Sequence, residues 1–374
     1  MGPLHGITVL ELEAIGPVPM CGMLLGDLGA DVVRVDRPGG SGDPLRTLMG
    51  RNRRSVAVDL KHPEGAGVVV RLAAGADVLI EGMRPGVAER LGVGPEVCHT
   101  ANRRLVFGRM TGWGQEGPLA VTAGHDLTYI ALAGALHPIG DPAEPPPPPL
   151  NLIGDFGGGA LYLAVGVLAA LLERERSGLG QVVDAAMIDG TGSLLTMFHE
   201  LTAMGLWDDR RGGQLLDGGA PFYRTYRTAD GKYVAVGALE PPFFTALIAG
   251  LGLEGEFPAQ HDRTRWPEMR RRFSECFARR TRDEWESTFA GSDACVAPVL
   301  TMTEATAHPQ IAGRNGHLEV GGVRQPAPAP RFSRSIPTTP KPAVKPGADT
   351  DGVLGAAGFS AAEIADLRAG GVVA

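Results

Sequence analysis

Over the first 110 residues, β-branched runs alternate with segments of helical apolar spacing, and this restricts the possible folds more than any other feature. Ile7–Glu13 reads as a strand, Met20–Leu28 as a helix and Asp31–Asp36 (Asp-Val-Val-Arg-Val-Asp) as a second strand. Strand, helix and strand within roughly 30 residues is the length of one parallel crossover unit. The pattern then repeats with strand Ser55–Leu60, helix Pro63–Ala74, strand Asp77–Glu81, a short helix over Val87–Leu91 and strand Arg104–Arg109. The expectation is an α/β fold with an open, mostly parallel, Rossmann-like sheet. Such sheets take ligands outside the carboxyl ends of their strands. Arg37, Lys61 and Arg84 all fall at or just after expected strand ends, a cationic cluster suited to a polyphosphate. Arg37 directly follows Asp36 at the end of the second strand, where an arginine accommodates a phosphorylated ribose.

Two glycine stretches limit the choice of nucleotide. The first strand is followed by Ile-Gly-Pro-Val-Pro (15–19) and not by a dinucleotide fingerprint, which disfavours a nicotinamide cofactor. Gly112-Trp-Gly114-Gln-Glu-Gly117 does fit G-x-G-x-x-G and follows a strand. Pro118 comes next and no helical pattern begins there, so it reads as a tight glycine loop.

Beyond it, five prolines at 145–149 form an extended linker. Gly157–Glu175 and Val182–Leu206 read as long helices with more apolar surface than one amphipathic face requires, suggesting burial between domains or against a partner subunit. Met187, Met197 and Met204 could line an adaptable acyl pocket or simply pack in the core. After Gly212–Gly219, Tyr223–Thr228 and Tyr233–Gly237 flank an Ala-Asp-Gly turn as a hairpin. Helices around Pro241–Gly250, Trp266–Arg279 and Arg282–Ala290 complete a smaller α+β domain. Pro326–Pro346 is a proline-rich return, and Ser360-Ala-Ala-Glu363 is a capping box opening a last helix.

Composition narrows the function classes. With 44% hydrophobic and 21% charged residues in 374, the chain is globular and large enough for two domains. A net charge of −7 argues against a nucleic-acid partner, although Arg51, Arg53 and Arg54 form a local basic cluster. Cys21, Cys98, Cys276 and Cys295 lack C-x-x-C spacing, so neither a disulfide framework nor a metal site is expected, only buried free thiols in a reducing compartment. The N-terminus lacks a signal-peptide layout, the apolar run Ala160–Leu172 is too short to span a bilayer, and the C-terminus is no peroxisomal address. The expectation is a soluble, cytoplasmic protein with no membrane association.

The chemistry concentrates between Ala123 and Ala160. His125 opens one expected helix and Asp155 stands just ahead of another, where side chains and free backbone N–H groups converge on a developing negative charge. An imidazole and a carboxyl on either side of a carbon acid are what α-proton exchange requires.

Several long stretches carry a resemblance in the right order. They are 26–38 (Gly-Asp-Leu-Gly-Ala-Asp-Val-Val-Arg-Val-Asp-Arg-Pro), Asp59-Leu60-Lys61, Arg84-Pro85-Gly86-Val87 and Ala-Gly-His-Asp at 123–126. Further along come 149–159 (Pro-Leu-Asn-Leu-Ile-Gly-Asp-Phe-Gly-Gly-Gly), 216–223 (Leu-Asp-Gly-Gly-Ala-Pro-Phe-Tyr) and 293–300 (Asp-Ala-Cys-Val-Ala-Pro-Val-Leu). The chain resembles the α-methylacyl-CoA racemases of the family III CoA-transferase superfamily, over nearly its whole length and fading after about residue 335. That resemblance implies an interlocked homodimer acting on an acyl-CoA thioester, with coenzyme A part of the substrate and no other cofactor. It implies a large CoA-binding domain from both chain ends (1–190 and 325–374), a linking helix and loop (191–219) and a small domain (220–324). Each active site would lie between the large domain of one subunit and the small domain of the other. Coenzyme A would be held by Arg37, Val58, Asp59, Leu60, Lys61, Gly82, Met83, Arg84, Arg90, Gly124, His125, Asp126 and Tyr129. His125 and Asp155 would be the acid/base pair, supported by a carboxylate, Glu240, from the partner. In transferases of the same superfamily, an aspartate at the position of Asp155 attacks the thioester and forms a mixed anhydride. Such an enzyme needs no histidine at 125, so His125 within Ala-Gly-His-Asp separates the two chemistries. A non-catalytic nucleotide-binding scaffold has only the α/β pattern behind it.

Overall fold

The computed structural model describes residues 1–39 and 49–374. The chain forms two compact units, one of Met1–Ala133, Pro149–Leu195 and Asn315–Ala374, the other of Gly134–Pro148 and Thr196–Arg314.

In the first unit, strands β1 (Thr8–Leu12), β2 (Asp31–Asp36), β3 (Arg53–Ala57), β4 (Val78–Glu81), β5 (Val106–Thr111) and β6 (Val182–Ala186) form one sheet in the order β3-β2-β1-β4-β5-β6. Every neighbouring pair is parallel. Side chains of successive strand residues point to opposite faces, so the near-continuous valine and leucine runs supply two cores. On one face Val9, Val32, Val78, Ile80 and Val106 pack with Leu25 and with Leu163, Val167 and Leu171. Those partners come from α1 (Pro17–Asp27) and from a long helix over 152–177. On the other face Leu10, Val33, Val56, Leu79 and Phe107 meet Val68 and Leu72 of α2 (Gly65–Ala74). Val353, Leu354, Ile364, Val372 and Val373 from the C-terminal segment complete that core. The chain end is also tied to β3 by backbone bonds, Asp59 N–H to Val372 O at 2.8 Å and Ala374 N–H to Ala57 O at 3.3 Å. Two short helices, α3 (Val87–Arg90) and α4 (Pro95–Ala101), connect β4 to β5.

The segment Val182–Leu206, expected to be one helix, is not. Val182–Ala186 is the edge strand β6, paired with β5 from Phe107↔Val182 to Thr111↔Ala186. Helices α7 (Met187–Leu194) and Thr196–Ala203 follow, after α5 (Asp126–Leu132) and α6 (Leu161–Ser177) earlier in the chain. The apolar run expected to end at Leu172 also belongs to a longer element. Leu152–Ser177 is a continuous 26-residue helical segment, by length and composition long enough to cross a membrane, with 44% of its apolar window buried. Its inner face packs in the core described above, whereas Leu161, Val165 and Leu172 stay exposed in the chain.

The first nine residues of that segment, Leu152–Ala160, form wide π-helical turns. Gly158 and Gly159 allow α7 to approach: a Cβ on Gly158 would stand 2.6 Å from Thr191 N, and one on Gly190 would collide with the Gly158 carbonyl oxygen. Gly190→Ala is therefore expected to lower unfolding stability by about 1–3 kcal/mol, the usual cost of overpacking. Urea denaturation checks it, and an unchanged midpoint would show that the crossing relaxes freely.

The second unit holds an antiparallel sheet of β7 (Tyr223–Arg227), β8 (Tyr233–Gly237) and β9 (Val296–Pro298) over a core that includes Phe222, Phe273, Phe277 and Trp285. Its helices include Pro241–Leu251, Trp266–Phe277 and Arg282–Phe289. The unit boundaries differ from the expected domains at 134–148. That stretch is tied to the second unit by His137 Nε2 with Asp209 O (2.9 Å) and by Arg211 Nη1 donating to Glu144 O (2.9 Å). Cys21, Cys98 and Cys276 are buried thiols as expected; Cys295 is exposed, on the loop entering β9 with φ 51°. A hairpin of β10 (His317–Val320) and β11 (Val323–Pro326) returns the chain to the first unit.

Candidate active site

The carboxyl ends of β1, β4, β5 and β6 open onto one cavity of 1360 Å³ in the first unit. β1 and β4 are hydrogen-bonded neighbours at the point where strand order reverses, which is where open α/β sheets bind ligands. The strand-end loops bring Gly16, Gly82–Arg84, Thr111–Trp113 and Met187 to its wall, and the α5 and π-helical N-termini bring His125, Tyr129 and Asp155.

His125 is the N-cap of α5, extended at φ −140° and ψ 169°. Its backbone is fixed by a reciprocal pair with Thr128, whose Oγ1 accepts the His125 N–H at 3.0 Å and donates to His125 O at 2.8 Å. The imidazole is exposed on the cavity and has no hydrogen-bond partner among the described residues.

Asp155 lies one turn into the π-helical segment. Asp126, buried directly beside it, accepts the Asp155 N–H on Oδ2 at 2.7 Å, and the absent side chain of Gly154 leaves room for that contact. Asn151 Nδ2 donates to Asp155 Oδ2 at 3.1 Å. A Cβ on Gly16 would be 3.3 Å from the same oxygen, so the loop after β1 passes against the carboxylate. Burial pushes the Asp155 carboxyl above its ordinary range; the Asn151 hydrogen bond opposes this, the Asp126 charge adds to it and a charged His125 opposes it.

Tyr129 explains the glycines that resembled a phosphate loop. Its ring fills the space a Cβ on Gly112 would need and comes within 2.5 Å of one on Gly124, with Trp113 edge-on at 4.7 Å. Gly114 and Gly117 have φ of 95° and 91°, as a tight glycine loop requires. Burial, and then the Asp155 charge, push the Tyr129 phenol up, against Arg84.

Of the residues expected at coenzyme A, Gly82, Met83, Arg84, Gly124, His125 and Tyr129 line this cavity, and Asp126 lies beneath it. Arg37, Val58, Asp59, Leu60, Lys61 and Arg90 are not on its wall. Arg37 projects from the end of β2 with its guanidinium 3.7 Å from Glu13. Val58 bridges to Val373, and Lys61 N–H donates to Asp59 Oδ1 at 2.9 Å in the turn after β3. Arg90 ends α3. Glu240 belongs to the second unit, as the exposed N-cap of helix Pro241–Leu251.

Several wall residues were not foreseen. Met20 and Met23 of α1, together with Met49 and Met110, join the expected Met83 and Met187, and β10, β11, Pro342 and Ala343 close another side. Met197 and Met204 fall in the second unit instead. In the basic cluster at 51–54 each cation has a partner. Arg51 pairs with Asp27 at 2.5 Å and donates to Pro326 O at 2.8 Å, Arg53 is buried on Glu11 at 2.7 Å, and Arg54 meets Asp31 at 2.5 Å.

The model of CoA-transferase family III matches residues 4–350. The chain belongs to CoA-transferase family III. Within the family it is similar to the mouse protein named alpha-methylacyl-CoA racemase, 46% identical over 374 residues, covering 99% of this chain and 97% of the mouse protein. The human protein of the same name is likewise 46% identical over 375 residues, with 99% and 97% covered. Among solved structures, a CAIB/BAIF family protein from Brucella suis superposes with a TM-score of 0.82 at 26% identity, over 95% of this chain and 99% of that one. The six-stranded parallel sheet with its helices is thus a family III architecture.

Proposed function

We propose that the protein interconverts (R)- and (S)-2-methylacyl-CoA thioesters by removing and returning the α-proton, with His125 and Asp155 as the two acid/base groups. The observation that carries this reading is an unpartnered imidazole and a carboxyl of raised pKa on one cavity, in a chain 46% identical to proteins named as this racemase. A thioester α-proton is weakly acidic, so the enolate must be stabilised as it forms. At the start of α5 the Thr128 and Tyr129 N–H groups donate to His125 O, which leaves those of Asp126 and Leu127 at the positive end of the helix dipole to face the developing charge. One group takes the proton from one face, and the other returns one to the opposite face. The roles exchange in the reverse direction. A raised Asp155 pKa makes its protonated form easier to reach, as a group serving as both acid and base requires.

Coenzyme A would run from Gly124–Tyr129 and Gly82–Arg84 at the cavity toward Val58–Lys61, Arg90 and Arg37, placing the adenosine end at the tips of β2 and β3. Arg37→Ala is accordingly expected to raise KM several-fold with little change in kcat; an effect confined to kcat would contradict that placement. The stripe of exposed Leu161, Val165 and Leu172 suits burial by a second copy, and a homodimer would let the partner's Glu240 orient His125. An active monomer in sedimentation would refute this assembly. Proton transfer alone needs no cofactor beyond the substrate's own coenzyme A, and a cytoplasmic setting suits the buried thiols.

The test is α-deuterium uptake from a single enantiomer of a 2-methylacyl-CoA in heavy water, with and without a free carboxylic acid. Uptake with loss of optical purity, independent of the acid, is expected. No uptake, with coenzyme A passing to the acid, would make Asp155 a nucleophile and the protein a transferase.

A further inference from the structure

The second unit contains a cavity of 710 Å³ that the chemistry above does not use, with Asp141, Asp217, Tyr223, Arg224 and Arg270 on its wall. Arg224 sits on β7 opposite Val236, on the same face as the buried Tyr226, whose ring lies 5.7 Å from its guanidinium. Arg270 comes from helix Trp266–Phe277. Among the described residues Arg224 makes no hydrogen bond or ion pair, and Arg270 makes one bond, from Nη2 to Gly219 O at 2.7 Å. The Nε atoms of both are buried without a partner.

The two carboxylates on the wall are engaged elsewhere. Asp217 accepts backbone N–H groups from Gln214 and Gly219 on Oδ1, both at 2.9 Å, and from Gly213 on Oδ2 at 3.2 Å. Asp141 Oδ1 accepts the Ala143 N–H at 2.8 Å. Burial and then the Arg224 charge hold Arg270 below its ordinary pKa, with Tyr226, Asp217 and Asp141 opposing only in part. Two neighbouring guanidiniums with unused donors, neither in an ion pair with Asp141 or Asp217, face one space of the size that holds a small organic molecule.

We propose that this cavity binds a small organic oxyanion, carboxylate or phosphate, between the guanidiniums of Arg224 and Arg270. Guanidinium forks recognise the oxygens of either group by paired, charge-assisted hydrogen bonds. The proposal is independent of the racemase reading, because its readout is binding and not turnover.

The experiment is calorimetric titration of the full-length protein with inorganic phosphate and with malonate at constant ionic strength, against chloride. Saturable binding of at least one of them is expected, weakened about tenfold or more in Arg224→Gln and in Arg270→Gln. Binding of phosphate alone would assign a phosphoryl ligand, and of malonate alone a carboxylate. In parallel, the arginine Nε–H resonances of the wild-type protein are followed during the same titrations, which decides the matter even if a variant fails to fold. Two such signals should shift together with saturation. Heats no larger than for chloride, unshifted signals, or undiminished wild-type affinity in both variants would overturn the proposal.

Discussion

Replacing His125 by alanine is expected to slow α-deuterium exchange by about 10²–10⁴-fold, the range for loss of a positioned acid/base group. Thioester KM should stay within a few-fold. The variant is clean because the imidazole bonds to nothing among the described residues, whereas the backbone at 125 is fixed by Thr128 and the start of α5. The exchange that remains should carry a displaced pH profile. A charged His125 lowers the Asp155 pKa, so its removal leaves Asp155 protonated to higher pH. If Asp155 then acts as the base, the rising acidic limb moves upward in pH. Near-normal exchange would remove His125 from the chemistry.

What the sequence disclosed follows from which interactions are local. The strands β1, β2 and β4 announce themselves through short valine and leucine runs, and the capping box at Ser360 through four consecutive residues. The edge strand β6 does not. Val182–Ala186 continues into the apolar α7, and only its pairing with β5, about 75 positions earlier by the Phe107↔Val182 register, makes it a strand. Arg51 and Arg53 looked like free cations because their carboxylates, Asp27 and Glu11, stand 24 and 42 residues away. His125 and Asp155 were legible through their motifs, but the Asp126 contact that holds the Asp155 backbone spans 29 residues and leaves no periodic trace. The π-helical turns under Asp155 were equally silent; the glycines at 157–159 signal a close approach without naming α7 as the neighbour. Likewise, nothing near Gly16 or Met20 in the chain foretells that β10 and β11 share a wall with them.

Asp155→Asn is expected to lower exchange by about 10²–10⁴-fold, and at the same time to make the protein slightly more stable at pH values where the Asp155 carboxyl is ionised. The second effect follows from the sign of the pKa shift. Asp155 is raised in the folded protein, so the native state holds its proton more tightly than the unfolded chain does. Stability is therefore full below the unfolded pKa, falls as pH rises through the folded pKa, and stays lowered beyond it. Above the folded pKa the ionised carboxylate is maintained against burial and against the Asp126 charge beside it. A neutral amide of the same shape removes that opposition. Its oxygen can still accept from Asn151 Nδ2, and the backbone N–H bond to Asp126 is untouched. Because Asp155 is only half-buried and solvent screens part of the effect, the melting temperature should rise by no more than a few degrees. The gain should shrink as pH is lowered, since protonation makes the wild-type side chain neutral as well. Thermal unfolding of both proteins across pH measures this directly. A variant that is inactive and less stable at every pH would mean that Asp155 is held by contacts its charge improves. One that is inactive and more stable only above the unfolded pKa identifies a carboxylate kept at the cavity for its chemistry, at the expense of the fold that carries it.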